Sequence, residues 1–302
     1  MTKKKNYHVI GACSGHLIGA CSGWGAQLRA CEKGPEELLQ GLAIERQKNR
    51  EFPLTGIEML YPEKRAADEN IPLPESLPFI KKFNLKLFHA VRKAIKRDQF
   101  PIVIGGDHSI AVGTWNAFVD VPFGLLWIDA HMDAHTVESS PSGAYHGMPV
   151  AELLGYGTAG LGQLIDSQVI LKPCNVALVG VRSFEVEEYA FLKQRGVKIY
   201  FMDEVRKRGL QQIIPEAIAH ITQGVEHYGV SLDLDAFSPE EAPGVGSPEP
   251  LGIKKSELLP LISIFGKDKR LIGFEMVEFN PERDVDHKTR ELMIAILKEL
   301  IQ

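Results

Sequence analysis

Six short runs, apolar at nearly every position, constrain this chain more than any other feature. They fall at residues 101–104, 123–128, 176–181, 197–201, 230–234 and 271–277. Between and after them come stretches with helical spacing, at 183–195, 210–220, 255–265 and 286–300. In the last, Leu292, Ile296, Leu297 and Leu300 share one face. A strand with one wet face alternates apolar and polar residues, whereas a continuous apolar run is buried on both faces. Apolar strands separated by helices therefore predict an α/β fold of three layers, with a central, mostly parallel sheet between two layers of helices. In such sheets ligands bind just beyond the carboxyl ends of the strands. The polar residues that end each run are where chemistry is expected.

The remaining bounds are broad. A chain of 302 residues is near the size at which a single hydrophobic core stops growing, and one domain over 1–302 is the expected organisation. The prolines at 62, 72, 74 and 78 mark an irregular connection rather than a boundary, since nothing before them can build its own core. Lys and Arg number 34 against 39 Asp and Glu, a net charge of −5, so no basic excess points to nucleic acid or an anionic membrane. No apolar run approaches the roughly 18 residues of a membrane span. Lys3 to Lys5 precede a stretch too short and polar for a secretory signal. The cysteines at 13, 21, 31 and 174 lack finger spacing and are too sparse for a disulfide framework. Free thiols in a cytoplasmic protein are the reading. The segment from His8 to Gly15 recurs at His16 to Gly23 with only Val9 exchanged for Leu17. Only one copy can occupy a given strand position, which leaves the other as a local insertion or an altered first loop.

Three strand ends carry ionisable side chains. The run at 101–104 ends in Gly105-Gly106-Asp107-His108-Ser109, where the glycines permit a tight turn that presents His108. The run at 123–128 ends in Asp129-Ala130-His131-Met132-Asp133-Ala134-His135. In an extended segment alternate residues share a face, so Asp129, His131, Asp133 and, continuing the alternation, His135 converge. The run at 230–234 closes with Asp233 and Asp235, facing away from Leu232 and Leu234. Acids gathered at the end of a buried strand repel and lose hydration unless a cation compensates. His108, Asp129, His131, Asp133, Asp233 and Asp235 fit two divalent ions, and an oxygen-rich set with an imidazole for each suits Mn²⁺ better than the thiolate-preferring metals. Four carboxylates offset two dications. Glu278 ends the last run, and a carboxylate facing such a cluster can accept two N–H groups of a cationic ligand.

These motifs resemble the ureohydrolases, the family of arginase, agmatinase and formimidoylglutamase. The likeness runs from the segment Arg29-Ala30-Cys31-Glu32-Lys33-Gly34-Pro35 to Glu278-Phe279-Asn280-Pro281. It implies a binuclear manganese cluster and hydrolysis of a guanidine or amidine C–N bond by hydroxide held between the ions. By the family pattern His108, Asp129, Asp133 and Asp233 hold one ion, while His131, Asp129, Asp233 and Asp235 hold the other. The same pattern makes Asp133 a proton acceptor and His146, in Ser142-Gly143-Ala144-Tyr145-His146-Gly147, a proton shuttle. It also implies a homo-oligomer, trimeric or hexameric, acting on a small guanidino or amidino substrate.

At the far end of the substrate the chain departs from the arginase pattern. His135 and Ala144 stand where asparagines are usual, Ser142 keeps the pattern, and Glu185 is one methylene longer than the customary aspartate. The segment Asp235-Ala236-Phe237-Ser238-Pro239 lacks a third acid, and Ala242 to Pro248 leans toward agmatinase-like and formimidoylglutamase-like members. Three readings follow. One is an arginase, with His135, Ser142 and Glu185 meeting the amino-acid end; the second is another guanidino or formimino hydrolase; the third is a metal-binding relative without activity.

Overall fold

The apolar runs become the middle of a sheet. The computed structural model describes residues 15–47, 52, 54–66, 69, 71–157 and 171–302. Its strands are β1 (Gly15–Ala20), β2 (Gly56–Leu60), β3 (Phe100–Gly105), β4 (Phe123–Ile128), β5 (Val176–Val181), β6 (Lys198–Phe201), β7 (His227–Asp233) and β8 (Leu271–Val277). All pair in parallel, in the order β2-β1-β3-β8-β7-β4-β5-β6. Strands β1 to β3 make one half and β4 to β6 the other, with the last two strands closing the gap between them. The helices are α1 (Gly34–Gln47), α2 (Leu77–Lys96), α3 (Ala111–Asn116), α4 (Pro149–Leu153), α5 (Val186–Arg195), α6 (Met202–Arg208), α7 (Leu210–Ile221), α8 (Lys255–Lys267) and α9 (Lys288–Ile301).

Alternate residues of each central strand enter different cores, as continuous apolar runs require. Ile102, Leu126, Ile128, Val230 and Leu232 pack beneath α1, α7, α8 and α9, against Leu42, Ile214, Ile262 and Leu297. Val103, Leu125, Trp127 and Leu178 point the other way, into Leu87, Val91, Trp115 and Val150 of α2, α3 and α4. Each such side chain, fully buried, contributes about 1.5–3 kcal/mol. In β5 the alternation slips: Gly180 has φ +101° and the register with β6 shifts there, so Val179 joins one core and Val181 the other.

Several elements differ from the sequence expectation. The second copy of the duplicated segment supplies β1, with His16 to Ala20 paired to β3; the first copy, before Gly15, lies outside the described residues. The proline-bearing connection holds a 3₁₀ turn at Leu73–Glu75, and α2 starts inside it at Leu77. Pro78 is tolerated because the first turn of a helix needs no N–H there. The helix expected from 183 begins at Val186, with Glu185 and Glu188 capping its start reciprocally. Among the described residues no helix is long and apolar enough to cross a membrane.

Candidate metal centre

The strand order sets the site out along one edge of the sheet. Reading across neighbours, β3 ends near His108, β8 at Glu278, β7 at Asp233 and Asp235, β4 at Asp129 to Asp133, and β5 just before Glu185. The first turn is built tightly. A Cβ on Gly106 would lie 1.9 Å from the backbone oxygen of Ser22, so only glycine fits. Asp107 then accepts from the Ser109 and Gly25 amides, both at 2.9 Å. His108 follows, buried and stacked on Trp127 with ring centroids 4.0 Å apart. Its Nε2 lies 2.9 Å from Ser231 Oγ, and that hydroxyl donates to Glu275 Oε1 at 2.8 Å.

With Nε2 tied down, Nδ1 of His108 is turned into a ring of acids. It lies 3.0 Å from Asp133 Oδ2, 3.1 Å from Asp233 Oδ2 and 3.3 Å from Asp129 Oδ2, yet has no hydrogen-bond partner of acceptable geometry. His131 forms a second group, its Nδ1 3.1 Å from Asp235 Oδ2 and 3.5 Å from Asp129 Oδ1. Asp129 thus turns one oxygen to each histidine. It is anchored by the Trp127 indole N–H on Oδ2 and the His131 amide on Oδ1. Asp233 Oδ1 accepts the Asp235 amide at 2.8 Å.

The electrostatics of the cluster favour a bound cation. Burial, then the charge of Asp129, pushes Asp133 up to about 6. Burial and neighbouring aspartates push Asp233 well above the usual carboxylate range and raise Asp235. Burial also opposes ionisation of Asp129, but the two histidines overcome it and hold the carboxyl below its ordinary value. An orphaned buried imidazole nitrogen facing three carboxylate oxygens, beside a second His–Asp–Asp group, fits divalent metals held by oxygen and nitrogen.

Glu278 and His146 stand beside this cluster. Glu278 adopts φ +68° and its amide donates to Gly106 O at 2.8 Å, which folds the side chain back under the β3 turn. Its Oε1 accepts the His108 amide at 2.8 Å and lies 3.0 Å from His146 Nδ1. One oxygen of Glu278 is therefore already engaged, leaving Oε2 for a ligand. Burial works against a charged His146, but the charge and hydrogen bond of Glu278 outweigh it and lift the imidazole to about 9.

His135 lies apart from the His108 and His131 groups, in a third group with Glu185 and Glu188. Asp133 sits at φ +49°, which breaks the extended alternation, and the His135 amide is drawn to Gly147 O. Its ring instead meets Ser139 through Nδ1 at 3.0 Å and Glu185 through Nε2 at 3.0 Å, with Glu188 at 3.4 Å. His135, Glu185 and Glu188 line one cavity of about 250 Å³ together with Ser142, His146, Glu278 and three acids of the cluster, Asp133, Asp233 and Asp235. Ala144 is buried at 2% exposure and does not line this cavity.

Sequence reasoning passed over Glu188 and Gln27 and took Ser247 only as part of the 242–248 segment; all three line the cavity. Burial pushes Glu188 up to about 8, although it accepts the Ala134 amide. It passed over Ser231 and Glu275 as well, although each is a polar residue interrupting an apolar run. That interruption was the available signal.

Acidic and imidazole donors gathered at the carboxyl edge of a parallel sheet define an α/β protein with a candidate metal site. The chain belongs to the arginase family, hydrolases of a guanidino C–N bond, whose family profile matches residues 14–302. It is 34% identical to the arginase of Bacillus caldovelox over 280 residues, covering 91% of this chain and 94% of that one. The arginase structure from Bacillus subtilis superposes with a TM-score of 0.84 at 31% identity, covering 95% of this chain and 98% of the other. The Entamoeba histolytica arginase, solved in complex with L-ornithine, gives 0.85 at 26% identity over 97% of this chain and 99% of its own.

Proposed function

We propose that the chain is a binuclear manganese arginase that hydrolyses L-arginine to L-ornithine and urea. The observation that carries this is Asp129, whose two oxygens divide between the His108 and His131 groups beside the Glu278–His146 pair. The named relatives support the substrate, as does the L-ornithine bound to the Entamoeba enzyme. His108, Asp129, Asp133 and Asp233 would hold one ion and His131, Asp129, Asp233 and Asp235 the other. When bound, two Mn²⁺ neutralise the buried acids and supply Lewis acidity that makes water a nucleophile near neutral pH.

The chain's own groups do the rest. Glu278 Oε2 accepts from the guanidinium and fixes its planar carbon against the cluster, a proximity effect. Asp133 takes the proton lost from water, and His146, released from Glu278, hands a proton to the departing amine. His135, Ser142, Glu185 and Glu188 meet the far end of the substrate. A second reading, an agmatine- or formimino-specific hydrolase, is favoured by one observation: His135 already holds Glu185. Purified protein should bind about two Mn²⁺ per chain and release urea from arginine, and Asp129→Ala should abolish both. Full activity in metal-free protein would overturn the metal reading. Release of urea from agmatine but not arginine would overturn the substrate.

A further inference from the structure

The two histidines of the cluster are supported from behind in different ways. A metal-ligating histidine offers one ring nitrogen to the ion, and the group bonded to the other nitrogen fixes its tautomer and basicity. For His108 that outer support is neutral, the buried Ser231 hydroxyl with Glu275 behind it. For His131 the outer nitrogen Nε2 faces a carboxylate across an ion-pair distance, Glu249 Oε1 at 3.9 Å, longer than a hydrogen bond.

Glu249 is not a chance neighbour on a loose loop. Arg182, just beyond β5, donates through Nη2 to the backbone oxygens of Glu249 at 2.9 Å and Asp235 at 2.7 Å, and through Nε to Pro250 O at 2.9 Å. It adds Phe237 O and Ala236 O at 3.2 and 3.3 Å. A planar guanidinium with five N–H donors can hold two chain segments in one fixed relation. The segments it joins carry the two acids on either side of the His131 ring: Asp235 at Nδ1 and Glu249 at Nε2.

We infer that Glu249 is the positioning residue of His131. Presented by the Arg182 clamp, its carboxylate favours the tautomer with the proton on Nε2 and so leaves Nδ1 free to donate to metal. The inference rests on reading His131 as a metal donor. It also makes the two metal positions unequal, since only the His131 ring is backed directly by a charge.

Calorimetric titration of Mn²⁺ into metal-free protein, with electron paramagnetic resonance to follow formation of the ion pair, tests it. Glu249→Gln should weaken one of the two ions by about 10–100-fold while the other binds as in wild type. The melting temperature of the metal-free protein should not change. Arg182→Lys, which loses the planar fork, should weaken the same ion. Wild-type binding of both ions in Glu249→Gln, or an equal loss at both positions, would overturn the inference. If wild-type protein binds no manganese, or His131→Ala binds both ions normally, the metal reading itself falls and this inference with it.

Discussion

His146 and Glu278 are the pair through which single residues can be judged. Replacing His146 by Asn should lower kcat by about 10²–10⁴-fold while metal content stays intact, because a proton shuttle is not a ligand. Loss of manganese in that variant would make the residue structural. The pair also gives a pH signature in the metal-free protein. Its imidazole is held near 9, above the ordinary 6.5, so the stabilisation is complete below about pH 6.5 and lost as pH climbs through 9. Thermal melts across that interval should fall more steeply for wild type than for His146→Asn. At this scale much of the site was legible in the sequence. Acids and histidines alternating after an apolar run have few structural uses, and His108, Asp129, His131, Asp133, Asp233 and Asp235 do lie together. Alternation carried past Asp133 would bring His135 to the same face as these six, but the positive φ of Asp133, which no residue pattern announces, turns it toward Glu185.

Among the elements, the β3 turn is the most tightly specified. Gly106→Ala would set a methyl group against the Ser22 carbonyl, and the backbone on both sides must move. Overpacking of this kind costs about 1–3 kcal/mol. Urea denaturation should show that loss, and Mn²⁺ affinity should fall with it because His108 rides on the same turn. Unchanged affinity would mean that the turn does not position the ligand. The central strands were legible because burial on both faces leaves an unbroken apolar run. Edge strand β2 is only partly buried, so its pattern is weak, and β1 is broken by Gly19. In α2 the residues Ile80, Phe83, Leu87, Val91 and Ala94 carry a clear helical period, yet the prolines just before it hid where it starts. The capping exchange between Glu185 and Glu188 delayed the start of α5 by three residues relative to the expectation.

The whole molecule carries four aspartates at the centre of its binding edge, three of them resisting ionisation without a cation. Bound metal should therefore stabilise the fold, by about 2.7 kcal/mol when its concentration is one hundred times Kd. For a chain of this size that is a melting shift of several degrees, and chelation should reverse it. Identical melting with and without Mn²⁺ would show that the acids are satisfied otherwise. The order of the strands has a further consequence. The metal donors follow β3, β7 and β4, whereas Glu185 and Glu188 follow β5, on the other side of β4. The machinery that breaks the bond and the carboxylates that would read the rest of the molecule are thus encoded on separate stretches of chain. Such a scaffold can change its diet without relearning how to eat: transplanting a segment of a few residues after β5 could redirect the enzyme to a different guanidino compound, while the inherited chemistry at the neighbouring tips stays as it was.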